Sequence, residues 1–208
     1  MTPPLPHSIT PPLPHSITPS LPHVLVLALG NPLLGDDGVG WRVAEMLQLQ
    51  LRATEMSAPF AISHSPSAIR HPPPAIEIDF ACSGGLALME RLIGYERVLL
   101  IDAVQLDDEP IGSVRQLRLE DLPDPSAGHS ASAHDTTLSN ALAVGRALNA
   151  PLPTQVEVIA IQAARVYDFS ETLSPVVDAA VPYAVSLAKE WCAQNTLSDA
   201  TLRNGKNE

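Results

Sequence analysis

Positive charge is scarce in this chain. Its 208 residues include 12 Lys and Arg against 23 Asp and Glu, and the formal net charge at pH 7 is −11. Binding a phosphate backbone requires clustered Lys and Arg, and an anionic membrane surface attracts the same side chains. We therefore expect neither a nucleic acid partner nor a membrane partner.

Cysteine and long apolar runs are also scarce. The two cysteines, Cys82 and Cys192, lie far apart and form no metal-binding or redox motif. No apolar run approaches the ~20 residues that a membrane-spanning helix needs. The first 23 residues contain no Lys or Arg, and prolines interrupt every apolar stretch there, which does not fit a secretory signal. We expect a cytoplasmic monomer with reduced thiols.

Proline, in contrast, is abundant, and it dominates an N-terminal repeat. The unit TPPLPHSI occurs at 2–9 and again at 10–17, and a truncated copy follows at 18–23. Proline removes backbone donors and blocks helix and sheet, so we expect residues 1–23 to form a disordered or polyproline-like tail. The histidines that recur in the repeat offer a metal site, but expansion of the repeat is the favoured interpretation.

Composition also divides the rest of the chain. Residues 54–74 are rich in Ser and Pro and too long for an ordinary connection, which predicts an insertion. The polar residues 194–208 predict a C-terminal tail. The folded domain is therefore expected at 24–193.

Within that domain, apolar runs alternate with helical periodicity. The run VLVLAL at 24–29 is typical of a strand buried on both faces. Strands that alternate with helices predict right-handed crossovers and a mostly parallel sheet covered on both faces. Predicted strands are 24–29, 76–81, 97–102, 113–119 at an edge, and 155–161; predicted helices are 41–51, 85–94, 134–148 and 176–192.

The segment GNPLLGDDGVG at residues 30–40 carries the strongest functional signal. It joins the first strand to the first helix and contains two adjacent carboxylates, Asp36 and Asp37. In open α/β sheets, ligands bind at the carboxyl ends of the strands. Acids beside a tight glycine turn suit a cation, although capping of the helix is the simpler role for either one.

Two further residues occupy comparable positions. Asp102 ends the apolar run of the third strand, and His134 begins a helix after a loop of small residues. Because the ends of neighbouring parallel strands lie close together, Asp37, Asp102 and His134 are predicted to converge on one crevice. Two carboxylates and an imidazole would suit a divalent transition metal. The alternatives are a turn residue for Asp102 and a surface histidine for His134, with His129 as a competing ligand.

Cys82 follows the second predicted strand and is a candidate nucleophile. No known cysteine-hydrolase signature surrounds it, so a small buried apolar residue is the favoured interpretation.

Taken together, these motifs resemble the hydrogenase maturation endopeptidases, over roughly residues 24–191. The most specific element is the apolar strand followed by Gly-Asn, a spacer and Asp-Asp-Gly-x-Gly. Matching blocks follow in order at Gly85, VLLIDA at 98–103, LEDLP at 119–123, SAH at 132–134, IQ at 161–162 and LSP at 173–175.

The resemblance implies a three-layer α/β/α sandwich with a mostly parallel five-stranded sheet. It implies an endopeptidase that removes the C-terminal extension of a [NiFe] hydrogenase large-subunit precursor, with nickel carried by that precursor. The family's metal-contacting positions fall on Asp37, Asp102 and His134. Many relatives carry Glu where this chain has Asp37, so the shorter side chain leaves either Asp36 or Asp37 as the contact.

Three other functions fit parts of the same sequence. A nickel-sensing chaperone would hold the precursor without cutting it, through the same ligands. A peptidyl-tRNA hydrolase shares Leu-Gly-Asn-Pro at 29–32, but the charge of −11 opposes tRNA binding. A cysteine hydrolase would use Cys82 with His134.

Overall fold

The computed structural model describes residues 24–57, 76–106, 108–122, 133–164, 166–167 and 169–204, without the side chains of 55–57, 133–137 and 197–204. The N-terminal repeat and most of the predicted insertion lie outside these ranges. The strands are β1 (Val24–Leu29), β2 (Ile76–Ala81), β3 (Arg97–Val104), β4 (Val114–Arg118) and β5 (Gln155–Gln162). The helices are α1 (Val39–Ser57), α2 (Gly85–Arg91), α3 (Ala133–Ala147) and α4 (Pro175–Asn204), with 3-10 turns at Gly35–Gly38 and Leu119–Asp121.

The five strands form one sheet in the order β2-β1-β3-β5-β4. All neighbouring pairs are parallel except β4 with β5, which is antiparallel. The predicted mostly parallel sheet is confirmed, as is the edge position of the fourth strand. Parallel strands place their carboxyl ends at one edge of the sheet, and the candidate residues were predicted to meet there.

Alternation along β3 assigns side chains to the two faces of the sheet. Leu99 and Ile101 pack in a cluster with apolar residues of α1 and α4, whereas Leu100 and Val104 pack with those of α2 and α3. Asp102 lies on the same face as Leu100 and Val104, because side chains two residues apart in a strand share a face. The α/β/α layering follows from these two apolar clusters.

Several element ends differ from the sequence predictions, and α2, predicted to reach residue 94, ends at Arg91. Helix α1 continues to Ser57, four residues into the stretch assigned to the insertion. Strand β3 continues two residues past Asp102, to Val104. Helix α4 continues to Asn204, so residues 194–204 of the polar stretch are helical. None of the helices in the described ranges combines the length and apolarity needed to cross a bilayer.

Candidate active site

The carboxyl edge of the sheet brings the glycine segment close to β3. The 3-10 turn Gly35–Gly38, which contains Asp36 and Asp37, contacts β3. Asp102 on β3 is fully buried and pairs in register with Ala160 of β5. Two of the three predicted ligands therefore lie on elements that touch at this edge.

Glycine is required where the segment packs on the strand ends. A Cβ atom on Gly40 would collide with the carbonyl oxygen of Ile101 and would lie 2.6 Å from that of Leu29. Gly30 has φ +107°, and a Cβ atom there would collide with the backbone oxygen of Asp37. Because Gly40 has no side chain, the chain after the turn can pack directly against the backbone of Leu29 in β1 and of Ile101 in β3. Ile101 is the residue before Asp102.

Asp36 has a structural partner in a distant loop. Its Oδ1 accepts a 2.6 Å hydrogen bond from the backbone N–H of Ser174, and its Oδ2 accepts a 2.9 Å bond from the Ser174 hydroxyl. Asp36 is fully buried. We call this pair of hydrogen bonds the Asp36–Ser174 clasp. It occupies both oxygens of Asp36 and joins the 3-10 turn to the residue before α4.

Asp37 belongs to a different network, local to the turn. Its Oδ2 accepts a 2.6 Å hydrogen bond from the backbone N–H of Asn31. The Asn31 side chain in turn accepts a 3.0 Å bond from the backbone N–H of Leu33. Asp37 is half-buried, whereas Asp36 is fully buried. This difference favours Asp37 over Asp36 as the carboxylate available to a ligand.

His134 is the second residue of α3, and its side chain lies outside the description. The loop after α3 lies at the amino edge of the sheet, opposite the carboxyl edge. There the backbone N–H of Gly94, which precedes β3, donates a 2.8 Å hydrogen bond to the backbone oxygen of Pro151 in that loop. Since α3 has 15 residues, it is about 22 Å long and its first turn lies toward the carboxyl edge. His129 is not among the described residues.

A glutamine of the matched blocks anchors the loop after β3. The Gln162 side chain accepts a 2.9 Å bond from the backbone N–H of Leu106 and donates a 2.9 Å bond to its oxygen. Gln162 is buried, so the pair holds the chain shortly after Asp102. Residue type alone did not identify Gln162 or Ser174 as site residues, but both lie in the short blocks that carry the family resemblance.

The interpretation of Cys82 as a buried residue is wrong, because Cys82 is exposed. It follows β2, one of the two edge strands of the sheet, and among the described strands β2 pairs with β1 alone. Cys192, in contrast, is buried in α4, and burial raises its pKa to about 12. Within the described ranges, no cluster of three His, Cys, Asp or Glu side chains is arranged to hold a metal ion. That finding does not include the His134 side chain.

A family model, two curated relatives and two solved structures that resemble this chain all belong to hydrogenase formation or maturation. The family model described as hydrogenase maturation protease matches residues 69–191, more than half of the chain, including Asp102 and His134. The hydrogenase expression/formation protein HupD of Thiocapsa roseopersicina is 25% identical over 170 residues, covering 82% of this chain and 67% of HupD. HupM of Azotobacter chroococcum is 24% identical over 184 residues, covering 88% and 78%.

Solved structures agree on the fold. The hydrogenase maturating endopeptidase HybD from E. coli superposes with a TM-score of 0.62 at 20% identity, covering 83% of this chain and 93% of HybD. The [NiFe] hydrogenase maturation protease HybD from Thermococcus kodakarensis superposes with a TM-score of 0.58 at 25% identity, covering 81% and 98%.

Proposed function

The chain belongs to the hydrogenase maturation protease family, and on that premise we propose that it cuts a [NiFe] hydrogenase large-subunit precursor and removes its C-terminal extension. The reaction is hydrolysis of one peptide bond. The substrate is the precursor after nickel has been inserted, so nickel arrives as cargo of the substrate. We further propose that the protein works as a cytoplasmic monomer, a setting that suits its two free thiols, Cys82 and Cys192.

In this proposal Asp37, Asp102 and His134 contact the nickel ion that the precursor's cysteines already hold. Contact between the 3-10 turn and β3 at the carboxyl edge is the observation that carries the assignment, because it joins Asp37 and Asp102 through touching elements. The position of His134 in the first turn of α3 supports the third ligand. Carboxylate and imidazole donors are compatible with a divalent transition metal.

The same assignment explains how the chain would select a loaded substrate. Without nickel, the three groups lack the ion that joins them to the precursor. With nickel present, the metal polarises the scissile carbonyl or activates water, and a carboxylate accepts the proton. Water adds to the carbonyl carbon, the C–N bond breaks, and the new amine of the extension takes up a proton.

Mass spectrometry of the precursor, incubated with the protein with and without nickel, tests the function. Loss of the C-terminal extension only from nickel-loaded precursor is expected. Asp102→Asn and His134→Ala should remain folded and leave the mass unchanged, while Glu90→Gln, at an exposed position on α2, should process normally. Full processing by either site variant would remove that residue from the mechanism.

The same assay separates the remaining functions. An unchanged precursor mass in a stable complex with the wild-type protein would identify a chaperone instead of a protease. Cys82→Ala tests the cysteine hydrolase, since the exposed thiol is open to substrate. We expect this variant to retain full activity, because the proposed chemistry uses no thiol.

A further inference from the structure

A groove of about 520 Å³ opens beside the 3-10 turn, on the side of α1 and α4. One wall is the loop after β1 and the other is the loop before α4, and the first two turns of α1 and the first turn of α4 complete the groove. Residues that line it include Leu33, Trp41, Glu45, Glu171, Leu173 and Asp178. Gly35 and Gly38, which bound the turn that contains Asp37, also line this groove. The groove therefore adjoins the turn that contains Asp37, one of the proposed site residues.

Hydrogen bonds between the two walls fix the width of the groove. The backbone N–H of Ser170 donates a 3.0 Å bond to the oxygen of Leu33, and the N–H of Gly35 donates a 2.7 Å bond to the oxygen of Ser170. The Asp36–Ser174 clasp adds two further bonds between the same two segments of the chain. A groove whose walls are joined in this way is preformed, which lowers the entropic cost of binding an extended segment.

The lining of the groove carries an excess of negative charge. Its acidic side chains are Glu45, Glu171 and Asp178, and its one basic side chain is Arg42. The Nη1 atom of Arg42 lies 3.8 Å from the Oε2 atom of Glu45, so these two side chains form an ion pair. Within the residues that the structure describes, Glu171 and Asp178 form no ion pair. Two carboxylates of the groove that adjoins the Gly35–Gly38 turn are thus available to a cationic side chain.

Apolar and aromatic groups accompany these charges. Leu33 is 44% exposed. Phe169, which precedes Ser170 in the chain, is 84% exposed. Trp41 lines the groove, and its indole Nε1 has no hydrogen-bond acceptor among the described residues. Exposed apolar side chains beside a polar groove are typical of a surface that binds another chain.

We infer that this groove binds an extended segment of the precursor that carries Lys or Arg next to an apolar side chain, outside the nickel-bound part. Opposite charge supplies attraction and orientation, and Leu33 and Phe169 supply apolar contact. The inference depends on the proposed function for the identity of the partner. It assigns to Glu171 and Asp178 a role in binding the substrate, not in the chemical step.

Peptide binding tests the chemistry of the groove directly. The probes are two synthetic twelve-residue peptides, one alternating Lys and Leu and the other alternating Glu and Leu, and the signal is tryptophan fluorescence. Trp41 lines the groove, whereas Trp191 is buried in the core, so Trp41→Phe should remove the response. We expect the Lys peptide to bind about tenfold more tightly at low salt than at 0.5 M salt, and the Glu peptide not to bind.

Charge reversal tests the role of the groove in processing. Glu171→Lys/Asp178→Lys should raise the KM for the precursor about tenfold and leave kcat within about twofold. The matched control is Glu90→Lys/Glu190→Lys, which makes the same change in net charge at exposed positions on α2 and α4. The control should leave KM unchanged.

Three results would overturn the inference. These are an unchanged KM in the groove variant, an equal rise of KM in the control, or equal binding of the two peptides. In all three cases processing by the wild type would leave the proposed function intact. Failure of the wild type to process any precursor would instead remove the proposed function, and the peptide measurements would still decide the groove's preference for cationic segments.

Discussion

The carboxylate of Asp36 accepts two hydrogen bonds from Ser174, which lies 138 residues further along the chain. Because Asp36 is fully buried, these bonds replace the hydration that the carboxylate loses on folding. They join the turn that carries Asp37 to the start of α4. The clasp therefore connects the candidate site to the packing of two helices.

Removal of the clasp should destabilise the fold. Asp36→Ala leaves the N–H and hydroxyl of Ser174 without their acceptor, and we expect the free energy of unfolding to fall by about 2–4 kcal/mol. Ser174→Ala retains the backbone bond and should cost less than Asp36→Ala, and Ser174→Thr should cost less again. Urea denaturation measures all three. Glu190→Ala, at an exposed position on α4, is the control and should change the value by less than about 0.5 kcal/mol.

The contact of Gly40 with the strand ends gives a second prediction. A Cβ atom on Gly40 meets two backbone oxygens that cannot move without displacing β1 and β3, so Gly40→Ala should cost about 3 kcal/mol. Gly145→Ala is the matched control in α3. Its Cβ would meet the flexible ends of Leu152 and Met89, and alanine favours the helix, so its cost should stay below about 1 kcal/mol. Equal costs for the two variants would contradict the packing described here.

The two thiols should react at very different rates. Cys82 is exposed, whereas Cys192 is buried and its pKa is raised to about 12. An aromatic disulfide reagent at pH 8 should modify one thiol rapidly and the second only in denaturant, because the thiolate is the reactive form. Cys82→Ala should abolish the rapid phase alone. Two rapid phases in the wild-type protein would contradict the burial of Cys192.

Burial of Cys192 also predicts an alkaline loss of stability. Its pKa is about 12 in the folded protein against an ordinary value of 9.0, so above pH 9 the unfolded chain loses this proton first. The contribution is complete below pH 9 and decreases as pH rises toward 12, by about 1.4 kcal/mol per pH unit. The difference in unfolding free energy between wild type and Cys192→Ala isolates this slope, because other groups titrate equally in both. A pH-independent difference would show that the thiol ionises normally.

The sequence predicted the strands well, because a continuous apolar run leaves few alternatives. The bounds of β1 and β2 agree with the predictions, and the others differ by one or two residues. The helix ends were less predictable. No Pro or Gly interrupts the chain between α1's predicted end and Pro59, or between Pro182 and Gly205, so both helices continue past their apolar periodicity.

Local sequence patterns could not predict contacts between residues that are far apart in the chain. Adjacent carboxylates look equivalent in sequence, whereas in the structure Asp36 is buried against Ser174 and the half-buried Asp37 accepts a bond from Asn31. Cys82 is exposed directly after β2, an edge strand, and composition alone predicts neither this exposure nor the strand order. The family resemblance contributed the blocks that contain Ser174 and Gln162, but it left open whether Asp36 or Asp37 contacts the metal.

The clasp also has a consequence for synthesis on the ribosome. When the end of β5 has just left the exit tunnel of the ribosome, Ser174 is still inside the tunnel or not yet translated, so the Asp36 carboxylate lacks the Ser174 hydrogen-bond donors. Domains emerge from the N-terminus onward, and the turn beside Asp37 is among the first parts to appear. The hydrogen bonds that hold this turn must therefore wait for Ser174, the residue directly before the last helix, which would keep shorter chains from presenting a finished site.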